Sequence, residues 1–249
     1  MNEAGSLVER GTEAVAEALG EMGLPCGEDA LRVVRGWFRF YEKWAGRRVV
    51  GFDDVLDIAV KLIADSFAVE KVLSCVSRHG EMISAIDLGS GNGWPGLAVK
   101  ALVPDSGLTL LDSRLGACRF LEAYIREAGI RGVAVIAGRA EAAWRKPEHA
   151  GRYSLVTSRA MARPGVALEL SAPYCAPRGK VVLWLGPEYE ARAGEKTEVP
   201  ELGLRLEGLE RYTLPYDLGR RILAVYVREG DMGKGYPRSI SSMRAKPVL

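Results

Sequence analysis

The stretch from Met82 to Gly96 constrains this chain more than any other. A short apolar run, Met82 to Leu88, reads as a buried strand and stops at a glycine cluster, Gly89-Ser-Gly-Asn-Gly93. Pro95 sits where a helix can begin, a position that tolerates its missing N–H. Leu97, Ala98, Ala101 and Leu102 then continue at helical spacing. The unit is strand, glycine loop, helix. Glycines let the backbone turn with positive φ and leave room for a ligand against bare main chain. The opening turn of the helix offers unpaired N–H groups. Asp87, at the strand end, can orient the loop or take a ligand hydrogen bond. A nucleotide-cofactor site at the C-terminal edge of a parallel sheet is the expectation.

Two cofactors compete for such a loop. Gly91, Gly93 and Gly96 spell the dinucleotide fingerprint, and Asp112 follows roughly 20 residues on, as that reading requires. The second frame is Asp87-Leu-Gly-Ser-Gly-Asn-Gly93, an acid followed by alternating glycines, as in class I methyltransferases that bind S-adenosylmethionine. A tight turn with no ligand is the bland alternative. Trp94 and Pro95 occupy the positions where a pyrophosphate needs close helix approach, which favours the methyltransferase frame.

The chain has 249 residues, of which 48% are apolar, enough for one large α/β domain plus an accessory piece. The net charge of +2 excludes a global field for nucleic acid, so any basic surface is local. Cys26, Cys75, Cys118 and Cys175 form no C-x-x-C pair and are expected to be buried thiols in a reducing cytosol. His79 and His149 are the only histidines, so no metal site is expected. No apolar run approaches the roughly 20 residues of a membrane span, and the acidic N-terminal stretch does not resemble a secretion signal. A cytoplasmic protein is expected, and a monomer is the expected state.

Residues 1–80 read as helical: Leu7 to Leu19, then about Gly27 to Trp44, then about Phe52 to Val76. In the second helix Arg32, Arg35, Arg39 and Lys43 share one face. From about residue 82 strands and helices alternate. Strands are expected at Leu108–Asp112, Val133–Ala137, Tyr153–Ser158 and Lys180–Trp184, with helices at Arg119–Ala128 and Val166–Tyr174 between them. Residues 187–200 are charged and loop-like. Arg205–Leu214 and Ile222–Val227 read as a closing antiparallel pair. The expected fold is α/β, a doubly wound Rossmann-like sheet with an N-terminal helical layer. The expected organisation is a helical region at 1–80, a cofactor-binding domain at 81–230 and a basic tail at 231–249.

Three further strand ends matter together. Asp112 lies where a ribose diol would sit, and it could equally cap the next helix. Ala140 and Glu141 lie where an adenine would sit, and Glu141 could equally be a surface acid at a helix start. Arg159, opposite the glycine loop, could pair with a cofactor carboxylate or an anionic substrate, and it could equally be a solvated loop residue. Taken together, they lie along one sheet edge in the order a single ligand requires.

These motifs resemble the GidB/RsmG family, bacterial enzymes that methylate N7 of one guanine in small-subunit (16S) ribosomal RNA using S-adenosylmethionine. The likeness rests on Asp87 to Gly96, Pro104, Leu111-Asp-Ser113, Phe120-Leu121, Gly138-Arg-Ala-Glu141 and Ser158-Arg-Ala160. It extends upstream to Tyr41-Glu-Lys-Trp44 and Lys61-x-x-x-Asp65-Ser66, and downstream to Tyr236-Pro-Arg238 and Lys246-Pro247. The resemblance implies cofactor contacts at Gly89, Gly91, Gly93, Trp94, Asp112, Ser113, Arg114, Ala140, Glu141 and Arg159. The chain departs from the family pattern at Ala45, at Leu62, at Leu185 and around Ser241 to Met243.

The implied partner is ribosomal RNA or the small ribosomal subunit. Phosphate contacts are expected from Arg32, Arg35, Arg39 and Lys43 with Arg47 and Arg48, and from a tail carrying Lys234, Arg238, Arg244 and Lys246. Tyr236-Pro-Arg238 places an aromatic face beside a cation, a combination suited to a base and its phosphate. The tail, with glycines at 230, 233 and 235 and little to form a core, is expected to fold back near the C-terminal edge of the sheet and hold RNA. Methylation of another RNA, a small molecule or a protein is the alternative, and an NAD-binding oxidoreductase is the more distant one.

Overall fold

Short apolar runs alternating with amphipathic stretches give strands that pair side by side and helices that cover them. The computed structural model describes residues 5–44, 49–76, 82–189 and 197–249. Helix α1 (Leu7–Glu21) starts on a capping box. Ser6 Oγ accepts from the Glu9 N–H, and the Glu9 carboxylate accepts from the Ser6 N–H. Helix α2 (Glu28–Lys43) buries Val34, Trp37, Phe38 and Phe40 on one stripe.

The expected single helix from about Phe52 to Val76 is broken. The chain runs through an α-turn at Val55–Asp57, a π-helical stretch at Ile58–Ala64, a second α-turn at Asp65–Phe67 and helix α3 (Glu70–Val76). The Leu62 carbonyl shows why. It accepts from Ser66 Oγ and, across the molecule, from Arg159 Nη1 at 2.9 Å. Side chains inserted into the helical ladder loosen it locally, and π-turns gather at such places.

The described strands form one sheet of eight, in the order β3-β2-β1-β4-β5-β8-β7-β6. They are β1 (Ser84–Leu88), β2 (Gly107–Asp112), β3 (Val133–Ala137), β4 (Tyr153–Arg159), β5 (Cys175–Leu185), β6 (Glu198–Val199), β7 (Leu204–Thr213) and β8 (Arg220–Arg228). The first five run parallel, and β8, β7 and β6 add on antiparallel. The antiparallel pair read from the sequence is β7 and β8. Strand order reverses between β1 and β4, and ligands of such sheets bind in the crevice beyond the strand C-termini at that point.

Two cores sandwich the sheet. On one face α1, α2 and the π-helical stretch pack with α4 (Gly96–Leu102) and α5 (Leu115–Ala128), burying Trp37, Phe67, Trp94 and Phe120. Val182, Trp184 and Leu223 of the sheet belong to the same cluster, so the N-terminal helices share one core with the sheet. On the other face α6 (Ala140–Ala143), α7 (Pro164–Ser171) and α8 (Ile240–Ala245) cover Leu183, Ala224 and Tyr226.

Other boundaries shift by a few residues. Helix α5 begins at Leu115, four residues before Arg119. Helix α7 starts at Pro164, whose missing N–H is harmless at N1, and Ala172–Tyr174 continues as a 3₁₀ turn. Strand β5 begins at Cys175 and crosses a register shift against β4. Between 187 and 200, Pro187–Tyr189 forms a 3₁₀ turn and β6 a short strand, and residues 190–196 lie outside the described residues.

The cysteine expectation needs correction: Cys118 and Cys175 are buried, but Cys26 is half-buried and Cys75 is exposed. The tail also departs from expectation, because it contributes to a core. Met243 is fully buried and Val248 nearly so, both against α7 and its neighbours.

Candidate functional site

A cavity of about 440 Å³ opens beyond the C-terminal ends of β1, β2 and β3, inside the range of ordinary small-molecule pockets, about 300–1,000 Å³. Its first wall is Gly89, the residue of the glycine loop that lines it. Gly89 takes φ +74° and donates its N–H to the Leu111 carbonyl at 2.8 Å, which lays the loop across β2. A β-carbon at Gly89 would stand 2.9 Å from Met161 Cγ. Gly91 (φ +56°) donates to Asp112 Oδ2 at 2.8 Å. Gly93 (φ +102°) has Leu97 and Leu121 packed so close that a β-carbon would lie 2.5 Å from Leu97 Cδ1. Glycine is thus required at Gly89 by conformation and close approach together, and at Gly93 by the helix that follows.

Asp112 closes the second wall. Its Oδ1 accepts the Arg114 N–H at 2.8 Å and Oδ2 the Gly91 N–H, so the carboxylate ties the loop to the turn after β2. Arg114 Nε reaches the same Oδ1 at 3.4 Å, and most of the Arg114 side chain is exposed. A carboxylate offers about four lone-pair sites, so Asp112 still has capacity toward the cavity it lines. Ser113 lines the cavity beside it. The third wall is Gly138 to Glu141, with the Ala140 carbonyl fixed by the buried Tyr174 hydroxyl at 2.7 Å. Glu141 stands 3.7 Å from Arg139 and lines the cavity.

Beneath the loop lies Asp87, 1% exposed. Burial pushes its carboxyl up to about 6, against opposing contributions from the Thr157 hydroxyl and Arg159. Its Oδ1 accepts from Thr157 Oγ1 at 2.8 Å, and Oδ2 has no hydrogen-bond partner of good geometry. Asp87 therefore supports the loop from inside the protein.

Two expected residues sit differently from the rest. Trp94 is 3% exposed, with its ring against Trp37 and Phe67, so only its main chain stays with the loop. The Arg159 guanidinium is largely buried and bonded inside the protein. It pairs with Asp65 at 3.1 Å and donates to the carbonyls of Leu62 and Trp94. Asp65 also accepts from Tyr212 Oη at 2.6 Å, and its carbonyl from Trp184 Nε1 at 3.0 Å. Burial, then the neighbouring Asp65 carboxylate, pushes the Tyr212 hydroxyl far above its ordinary value. Arg159 thus ties the N-terminal layer to the glycine loop, joined from the other side by Trp37 Nε1 donating to the Asn92 carbonyl at 3.0 Å.

Three of the four basic residues expected on α2 stand in ion pairs. Arg32 pairs with Asp29, Arg35 with Glu28, and Lys43 lies 3.9 Å from Glu127, all near the surface. Arg39 is exposed, and Arg47 and Arg48 lie outside the described residues. Arg238 turns inward: its guanidinium and its N–H bind the carboxylate of Glu169, which is fully buried in α7. Tyr236 packs on that guanidinium, 5.2 Å from ring centre to Cζ. Among the described residues no group of three or more His, Cys, Asp or Glu could hold a metal ion, and no helix is long and apolar enough to cross a membrane.

Sequence reasoning missed Tyr212, Met161 and Glu169. Glu169 carried a signal. It is the one charge in the apolar run of α7, and a buried carboxylate requires a cation. Tyr212 and Met161 carried none, because they reach the site only through the sheet order.

Residues 42–204 match the family model described as GidB, rRNA small subunit methyltransferase G. The ribosomal RNA small subunit methyltransferase G of Carboxydothermus hydrogenoformans is 32% identical over 234 residues, 92% of this chain and 96% of that protein. The enzyme of the same name from Symbiobacterium thermophilum is 40% identical over 169 residues, 66% of this chain and 69% of its own length. Among solved structures, a protein assigned as a transferase from Pyrococcus horikoshii superposes with a TM-score of 0.50 at 12% identity, over 66% of this chain and 64% of its own, which bears on the fold alone. The match spans the glycine loop, Asp112, the Gly138–Glu141 turn and Arg159, and with nearly full-length similarity to a relative it shows that the chain belongs to the GidB family of rRNA small subunit methyltransferases.

Proposed function

We propose that this protein transfers a methyl group from S-adenosylmethionine to guanine N7 in small-subunit (16S) ribosomal RNA. The observation that carries the reading is the meeting of the family match with a cradle that suits the cofactor: bare main chain at Gly89, a carboxylate at Asp112 and the Ala140–Glu141 turn around one cavity. Bound there, S-adenosylmethionine supplies an electrophilic sulfonium methyl group.

The chain's own residues then hold and orient. Gly89 and Gly91 give the close main-chain approach, which any side chain at Gly89 would fill. Asp112 accepts hydrogen bonds from ribose hydroxyls, with Ser113 and Arg114 at its side. Ala140 and Glu141 read an adenine edge. Gly93 and Trp94 shape the loop from beneath, and Arg159 keeps it seated through the Trp94 carbonyl rather than by reaching into the cavity. Guanine N7 carries a free lone pair on the major-groove edge, so the nucleophile needs no base. The work is positioning.

In this reading residues 1–80 form the helical layer, 81–230 the catalytic domain and 231–249 the tail. RNA phosphates meet the exposed face with Arg32, Arg35, Arg39 and Lys43 on one side of the sheet, and Tyr236 and Arg238 shape the tail on the other. The protein works as a cytoplasmic monomer. The test is mass spectrometry of small-subunit rRNA from cells with and without this gene, and after incubation of purified protein with S-adenosylmethionine and undermethylated subunits. A gene-dependent 7-methylguanine supports the reading; unchanged rRNA in both assays overturns it.

A further inference from the structure

The tail, expected to fold back near the C-terminal edge of the sheet and hold RNA, walls the cavity at the strand ends. Ile240 and Arg244 of α8, one helical turn apart on one face, line the same cavity as Gly89, Asp112 and Ala140. Val166 and Leu170 of α7 complete an apolar surface next to Ile240. We propose that α8 is the cover of the methyl-donor pocket, with Ile240 and the Arg244 guanidinium lying over the purine of the bound cofactor. This rests on the cofactor assignment made above.

Three observations carry it. First, α8 is held firmly. Arg238, just before it, is locked to fully buried Glu169, Ser239 caps its N-terminus, and Met243 on its inner side is fully buried. Beyond it the chain end lies so close on Gly165 that a β-carbon there would stand 2.7 Å from the Leu249 N. Second, Arg244 faces the cavity and makes no ion pair with any described residue, so its planar cation is available to stack on an aromatic ring. Third, the chemistry of the walls is divided. Asp112 and Glu141 are polar groups suited to ring edges and hydroxyls, while Val166, Leu170 and Ile240 offer the apolar face that a purine needs on its flat side.

The experiment is calorimetric titration of the full-length protein with S-adenosylhomocysteine and, separately, with adenosine. The variants are Arg244→Ala, Ile240→Ala and the double variant, with melting temperatures as a check on folding. The expected result is a loss of about tenfold in affinity for Arg244→Ala, the scale of one stacking or cation–π contact, and the same factor for both ligands because the contact is to their common half. Arg244→Lys should recover only part, since an ammonium can sit over the ring but lacks the planar stack of a guanidinium. Affinities within twofold of wild type in the double variant overturn the proposal. A rise in the RNA KM with a flattened salt dependence and unchanged adenosine affinity also overturns it, assigning α8 to RNA. Failure of the wild-type protein to bind S-adenosylhomocysteine would instead sink the cofactor assignment, and this proposal with it.

Discussion

Arg159 at the end of β4 and Asp65 beside the π-helical stretch, 94 residues apart in sequence, form a buried ion pair at 3.1 Å. The pair joins the N-terminal layer to the sheet at the level of the glycine loop. Removing one partner strands a buried charge, which costs about 3–5 kcal/mol. Asp65→Ala is therefore expected to lower the denaturation midpoint sharply, and Asp65→Ala with Arg159→Leu to be less damaging than the sum of the two single changes. Urea denaturation of the four proteins in a double-mutant cycle measures this; strict additivity would show that the pair is not coupled.

Gly89 and Met161 make a second test. A side chain at Gly89 faces both the positive φ and the contact with Met161. Gly89→Arg is expected to abolish S-adenosylhomocysteine binding, because the side chain fills the cradle. Gly89→Ala should destabilise the fold by about 1–2 kcal/mol, the scale of a left-handed backbone carrying a β-carbon. Met161→Ala should restore only the part due to contact, leaving the backbone strain. Calorimetry, by titration for binding and by scanning for stability, reads all three, and full restoration by Met161→Ala would remove the strain argument.

Asp112 ties the Gly91 and Arg114 N–H groups together. Asp112→Ala should weaken cofactor binding by about 1–3 kcal/mol, the range for losing a partner of buried donors and a charged acceptor. Asp112→Asn keeps one oxygen acceptor and should lose less. Equal affinity of wild type and Asp112→Ala would take Asp112 out of the site.

Asp87 supplies a pH dependence. Its folded-state carboxyl sits at about 6, above the ordinary value, because burial disfavours the anion. The native state therefore holds a proton that the unfolded state releases between about pH 4 and 6, and the stability contribution falls as pH rises through that window. Above it the penalty is complete, on the order of 3 kcal/mol. Relative to wild type, Asp87→Asn should gain stability as pH rises from 4 to 7, with the difference level above that. A difference independent of pH, measured by denaturation across the range, would mean that Asp87 titrates like a solvated acid.

Much of the site could be read along the chain because its parts are local. A strand, a glycine loop and a helix follow one another from Met82 to Leu102, and each chemical requirement is met by neighbours in sequence. The alternation of strands and helices after residue 82 likewise depends only on short-range periodicity. Asp112, Ala140 and Glu141 each follow a strand, and parallel strands bring their C-terminal ends to one edge.

The amino-acid sequence by itself thus determined the doubly wound fold, the glycine loop and the family. The tertiary structure alone decided which way long side chains turn. Arg159 and Arg238 look alike on paper, as cations near a ligand edge, yet one is claimed by Asp65 and the other by Glu169. A buried acid needs a cation from wherever the fold delivers one, and that delivery runs across 94 and 69 residues. The break of the helix near Leu62 has the same origin, since its cause is a guanidinium from β4. The role of α8 as a wall follows too, because an i, i+4 pair in a polar tail signals nothing until packing on α7 turns Met243 inward and Arg244 toward the cavity.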